Sequence, residues 1–118
     1  MAVTIFGIRN CDTIRRARAW LEARGVAYEF HDYKSAGIDR ARLEAWCDAL
    51  GWERVINRAG TTFRKLPEGQ RTDLARDRAV ELMLAQPSMI RRPVIDADGL
   101  LASGFDAGVW AALLQQGG

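Results

Sequence analysis

The feature that most constrains this chain is its opening, an apolar and β-branched run, Val3-Thr-Ile-Phe-Gly-Ile8, that passes almost directly into Asn10-Cys11-Asp12-Thr13. The run suits a buried central strand, and the four polar residues mark a helix start. Ile14, Ala17 and Leu21 then recur at helical spacing, with Arg15, Arg16, Arg18 and Glu22 elsewhere on the wheel, until Gly25 ends the helix. Next, Tyr28-Glu-Phe-His-Asp-Tyr33 alternates as a strand does, Tyr28 and Phe30 on one face and Glu29 and His31 on the other. Strand, helix, strand implies a parallel pair with a right-handed crossover, so the loop after the first strand opens at the carboxyl edge of the sheet. Cys11 falls in that loop.

From about residue 36 to residue 88 the pattern is helical. A helix is predicted from about Asp39 to Leu50, with Leu43, Trp46, Cys47 and Leu50 on one stripe, followed by a helical turn through Val55 and Ile56. Asn57-Arg-Ala-Gly-Thr-Thr62 breaks the pattern as a shaped loop, and a further helix is predicted from about Thr72 to Ala85, ended by Pro87. Pro93-Val-Ile-Asp96 and Leu100-Leu-Ala102 flank Ala97-Asp98-Gly99 as an antiparallel hairpin, and Asp106 to Leu114 closes as a helix. The fold class is therefore α/β: a thioredoxin-like fold with a four-stranded mixed sheet and an inserted helical segment at about 36–88, in a single domain over 1–118.

With 118 residues, 48% of them hydrophobic and 27% charged, the chain can bury a real core without disulfide or metal staples. A net charge of +2 makes no case for direct binding to nucleic acid or to a membrane. The N-terminus runs into a strand pattern without a basic leader or cleavage site, so a cytoplasmic protein is expected. Cys11 and Cys47 lie outside any C-x-x-C pair and are expected to be reduced thiols. No metal-ligand cluster, Gly-rich phosphate loop or Ser/His/Asp set is visible, so no metal and no nucleotide are expected, and the chain is expected to be a monomer.

Chemistry points to Cys11. At a helix start, unpaired backbone N–H groups and the positive end of the helix dipole favour a thiolate, Arg15 and Arg16 add positive charge, and Asp12 opposes them. An inert buried role fits poorly with the polar setting of Asn10 and Thr13 on either side. Cys47 shares an apolar stripe and reads as a small hydrophobe, and His31 as a hydrogen-bonded structural residue. Ile14 stands where a dithiol motif has its second cysteine, so redox work by Cys11 would be that of a monothiol. Such a thiol needs an outside thiol to regenerate it, and glutathione is the abundant choice as co-substrate. Arg58, Arg64, Arg91 and Arg92 are candidate anion binders; Arg64 and Arg91 read as surface charge, Arg58 is intermediate, and Arg92, just before Pro93, is the best. The bond before Pro93 is open to either isomer.

Three blocks, Gly7-Ile-Arg-Asn-Cys-Asp-Thr-Ile14, Gly60-Thr-Thr-Phe-Arg-Lys-Leu66 and Arg91-Arg-Pro-Val-Ile95, resemble in order and spacing the arsenate reductase (ArsC/Spx) family, and within it the YffB-like branch of bacterial proteins. The resemblance covers essentially the whole chain. It implies a thioredoxin-like fold with a helical insertion, a nucleophilic Cys11, and Arg92 before a cis Pro93 lining the same site. Of the two further arginines that hold the oxyanion in arsenate reductases, Arg58 resembles one, displaced by one position, and the other has no counterpart in Leu100-Leu-Ala-Ser-Gly-Phe105. The expected activity is that of a glutathione-dependent thiol reductase acting on an oxidised thiol or an oxyanion. Cys11 would be its nucleophile, and Arg92, Pro93, Arg58, Asn10, Thr13 and Arg15 would surround substrate or glutathione. Two alternatives accompany it: an arsenate reductase with an altered anion site, and an Spx-like module that binds RNA polymerase, which Ile14 in place of a second cysteine disfavours.

Overall fold

Strand β1 (Val3–Gly7) lies between β2 (Glu29–Asp32) and β3 (Val94–Ala97), and β4 (Leu100–Ser103) completes a sheet of order β2-β1-β3-β4 in the computed structural model, which describes residues 2–117. β1 pairs with β2 in parallel and with β3 antiparallel, and β3 pairs antiparallel with β4, so the sheet is mixed as expected. The central position explains the composition of β1: Val3, Ile5 and Phe6 are all buried, because a strand covered on both faces reads as a nearly continuous apolar run.

Helix α1 (Asp12–Ala23) makes the crossover between β1 and β2 and buries Ile14, Ala17 and Leu21. Its close approach depends on Gly7, since a Cβ there would stand 2.3 Å from Ile14 Cδ1. Ala17 and Leu21 join Val3, Ile5, Ile95, Ala97, Ala102, Trp110 and Leu113 in one core cluster. Trp110 comes from helix α8 (Ala107–Gly117), and Trp20 and Phe105 meet its ring edge to face at 6.1 and 4.9 Å between centroids. Its indole Nε1–H donates to the Gly104 carbonyl at 3.0 Å, so the buried ring leaves no polar atom unpaired.

The chain divides into two compact units, one formed by residues up to 36 together with those from 92 onward, the other by residues 37–91. The first holds the sheet, α1, α8 and a single turn of helix, α2 (Tyr33–Ala36). The second is helical: α3 (Arg40–Leu50), α4 (Trp52–Val55), α5 (Thr61–Arg64), α6 (Glu68–Arg71), α7 (Arg76–Ala85) and a 3-10 turn at Pro87–Met89. Helix α3 starts at Asp39, whose carboxylate accepts the Arg42 backbone N–H at 2.7 Å, and it buries Leu43, Trp46 and Cys47. Backbone hydrogen bonds from Asn57 to Met89 and from Arg91 to Val55, both 2.7 Å, tie the beginning of the loop to the end of the unit.

Three of the differences from the sequence expectation have a clear local cause. The second strand stops at Asp32 because the Asp32 carboxylate accepts the N–H groups of Lys34 and Ser35, turning Tyr33 into α2. The helix expected from Thr72 begins at Arg76: Thr72 ends α6, and Asp73 has a φ of 53°, which no right-handed helix can include. Gly60-Thr-Thr62, expected as loop, is the cap and first turn of α5. No helix among the described residues is long and apolar enough to cross a membrane.

Candidate active site

Register brings three chain segments to one edge of the sheet. Gly7 is opposite Asp32 and Phe6 is opposite Val94, so the turn after β1, the turn after β2 and the approach to β3 emerge together. They carry Cys11, Tyr33 and the Arg92–Pro93 pair. The end of β4 closes this edge, the Gly104 N–H donating to the Pro93 carbonyl at 2.8 Å. The Arg92–Pro93 peptide bond is cis.

Cys11 is the N-cap of α1, with extended backbone at φ −91° and ψ 133°, and is partly exposed. Its side chain closes no formal cap hydrogen bond, yet the sulfur faces the backbone N–H groups of Ile14 and Thr13 and the guanidinium of Arg92. Partial burial works against the anion. The two amides and the hydrogen bond and charge of Arg92 together outweigh it, holding the thiol below the ordinary cysteine range.

The other expected site residues divide. Asn10 sits at a φ of 66°, the left-handed turn conformation that asparagine tolerates, and its carbonyl accepts the Arg15 Nη2 at 3.1 Å. Arg15 also pairs with Asp12 at 2.7 Å, so charge that was to assist Cys11 is directed to the neighbour that was to oppose it. The Thr13 hydroxyl accepts from Arg16 at 3.5 Å while its N–H faces the sulfur. Pro93 is buried at the foot of β3. Arg58 belongs to the second unit, its guanidinium over the Trp52 ring at 5.4 Å. His31 packs against the Phe6 ring at 5.2 Å. Cys47 lies buried in α3, and burial raises its thiol above the ordinary range.

Tyr33 is the residue that sequence reasoning missed. It is fully buried at the head of α2, and its side chain hydrogen-bonds to Arg92. Burial raises its hydroxyl above the ordinary range, with the charge of Cys11 and Asp32 adding to this and Arg92 opposing it, so it is a neutral phenol. The available signal was Asp32 followed three residues later by Ser35, a pattern that ends a strand in a capped turn. Beneath it, Asp32 also accepts the Arg9 N–H at 3.3 Å. Its carboxyl is held below the ordinary range because those backbone donors and Arg9 outweigh the cost of its burial. Among the described residues no three His, Cys, Asp or Glu side chains gather as a metal site.

A mixed sheet of this order, with a thiolate-favouring cysteine capping its first helix and an arginine before a cis-proline beside it, defines a thioredoxin-like protein carrying a lone cysteine at that helix. The chain belongs to the ArsC family, whose sequence profile matches residues 6–113. It is similar to a solved YffB protein, with 54% identity and a TM-score of 0.91 over 95% of this chain and 98% of that one. It is also similar to a solved arsenate reductase (ArsC) related protein from Brucella melitensis, with 53% identity and a TM-score of 0.79 over 95% and 93% of the two chains. The global transcriptional regulator Spx of Streptococcus agalactiae is 29% identical over 88% of this chain and 77% of its own. The YffB-like branch of the family, and not only its fold, is thus the one this chain resembles.

Proposed function

We propose that the protein is a glutathione-dependent thiol reductase working through Cys11 alone. The observation that carries this reading is the joint placement of the Cys11 sulfur against two helix amides and Arg92, with Ile14 only 1% exposed where a second thiol would have to stand. In the first step the Cys11 thiolate attacks a disulfide sulfur of the substrate, forming a mixed disulfide and releasing the other sulfur as a thiolate. For a glutathionylated substrate the adduct is Cys11 bonded to glutathione. A second glutathione thiolate then attacks the glutathione sulfur of that adduct, releasing the Cys11 thiolate and glutathione disulfide. Arg92 favours the thiolate as attacking and as leaving group, and a guanidinium beside the sulfur suits a carboxylate of glutathione.

Mass spectrometry of wild type, Cys11→Ser and Cys47→Ser after exposure to oxidised glutathione tests the proposal across a pH series. The expected result is one adduct, on Cys11, formed below the pH range of an ordinary thiol of pKa ~8.5 and reversed by reduced glutathione. Adduct formation no faster than on a free cysteine, or spread over both thiols, rejects it. A second reading, arsenate reduction on the same cysteine, draws on the likeness to the Brucella protein, and arsenate turnover with glutathione that is lost in Cys11→Ser would support it.

A further inference from the structure

Tyr33 takes no part in the steps proposed for Cys11, although it is the one fully buried residue of α2 and its side chain hydrogen-bonds to Arg92. Its position follows from the sheet: β2 ends at Asp32 opposite Gly7, so the next residue lies level with the turn that carries Cys11 and with the residues preceding Val94. The turn is rigidly specified, because the Asp32 carboxylate holds the N–H groups of Lys34 and Ser35, and the Ser35 hydroxyl donates to the Asp32 carbonyl at 3.2 Å.

We propose that Tyr33 is a positioning residue: its buried hydroxyl accepts a hydrogen bond from the Arg92 guanidinium and holds that cation against the Cys11 sulfur. An arginine side chain has several rotatable bonds, and holding it in one orientation costs conformational entropy that each fixed acceptor helps to offset. The Tyr33 hydroxyl is such an acceptor on a buried ring. The phenol suits the task because it stays neutral: a carboxylate in its place would bind Arg92 more tightly and cancel the charge that Cys11 experiences. Of the neighbouring charged groups, Asp32 is engaged with Arg9 and the α2 amides, and Asp12 and Arg15 on α1 pair with each other. Arg92 directs its charge at both the sulfur and the phenol.

This inference rests on Cys11 being the reactive thiol but not on glutathione being its partner, so it is read with iodoacetamide. The alkylation rate of Cys11 is followed against pH in a Cys47→Ser background. Tyr33→Phe, which keeps the ring, is expected to raise the pH midpoint by about half a unit and slow alkylation about threefold below it, a fraction of the effect of a nearby opposite charge. In an Arg92→Gln background the same change should add no further shift, which a purely structural role would not predict. Incorporation of 3-fluorotyrosine in a Tyr28→Phe background keeps ring and hydroxyl but weakens the acceptor, and should shift the midpoint the same way by less. An unchanged or lowered midpoint, or an equal shift with and without Arg92, overturns the proposal. A failed glutathione adduct with these shifts intact would instead remove only the co-substrate assignment.

Discussion

At the residue scale, the two cysteines show how the same side chain is set to opposite ends of its range. Cys47 is buried in α3, and burial pushes its thiol up, with the charges of Asp48 and Glu44 adding to this and Arg76 opposing it. Cys11 bears a desolvation cost too, but helix amides and Arg92 reverse it. Native protein treated with iodoacetamide at neutral pH should therefore be alkylated on Cys11, with Cys47 modified only after unfolding, as peptide mapping would show. Arg92→Gln removes both a donor and a charge from the sulfur and should raise the Cys11 midpoint by about one unit, the low end of what an adjacent opposite charge does. A thiol held below its unfolded value contributes stability above that value and loses it as pH falls through the lowered midpoint, so Arg92→Gln should weaken the protein more at pH 9 than at pH 6. Asp32 obeys the same rule at acid pH: its contribution is present above the ordinary carboxylate range and disappears as pH falls through its lowered value.

At the scale of elements, the strand-to-helix turn is the part on which the site depends most directly, and its tolerance is small. Gly7→Ala would press a Cβ to 2.3 Å from Ile14 Cδ1 and 3.1 Å from Cγ1, and Ile14 is itself buried. Such overpacking should cost about 1–3 kcal/mol in a chemical denaturation series, and displacing α1 should move the amides that face Cys11. Asp39→Ala is the contrasting case: it removes the cap of α3, a helix of the second unit, and should cost about 1 kcal/mol without changing Cys11 alkylation. The elements were legible to different depths. β1, α1 and α3 declare themselves through period and caps, since their buried faces are written in consecutive residues. The start of α7 was not, because Thr72-Asp-Leu-Ala75 carries no helix breaker, and the left-handed Asp73 is a choice that proline-free sequence does not announce. Tyr33 was hidden for a different reason: alternation continued through it, whereas the Asp32 cap ended the strand one residue earlier.

At the scale of the whole molecule, the mixed sheet was legible because handedness and hairpin rules leave few ways to arrange βαβ and ββα on one sheet. The site was legible only in its anchors. Cys11 and Arg92 are marked by local motifs, but that Tyr33 joins them depends on the register between β1 and β2, a nonlocal property that no stretch of residues contains. The pairings of β3 with β1 and with β4 keep scaffold stability separate from site chemistry. Trp110 Nε1–H holds the Gly104 carbonyl, and the Gly104 N–H holds Pro93, so one chain of bonds runs from the core to the residue after Arg92. It is not the only restraint on that residue, however. Val94 is paired on one side with Phe6 and on the other with Ser103, so the approach to β3 stays in place if the indole bond is lost. Trp110→Phe retains a buried ring beside Trp20 and Phe105 but leaves the Gly104 carbonyl without that donor, and should cost about 1–3 kcal/mol in denaturant unfolding. The Cys11 alkylation midpoint should stay where it is in wild type at temperatures where the variant remains folded. A midpoint that moved with Trp110→Phe would mean that the strand pairings do not by themselves fix Arg92, and that core packing tunes the thiol.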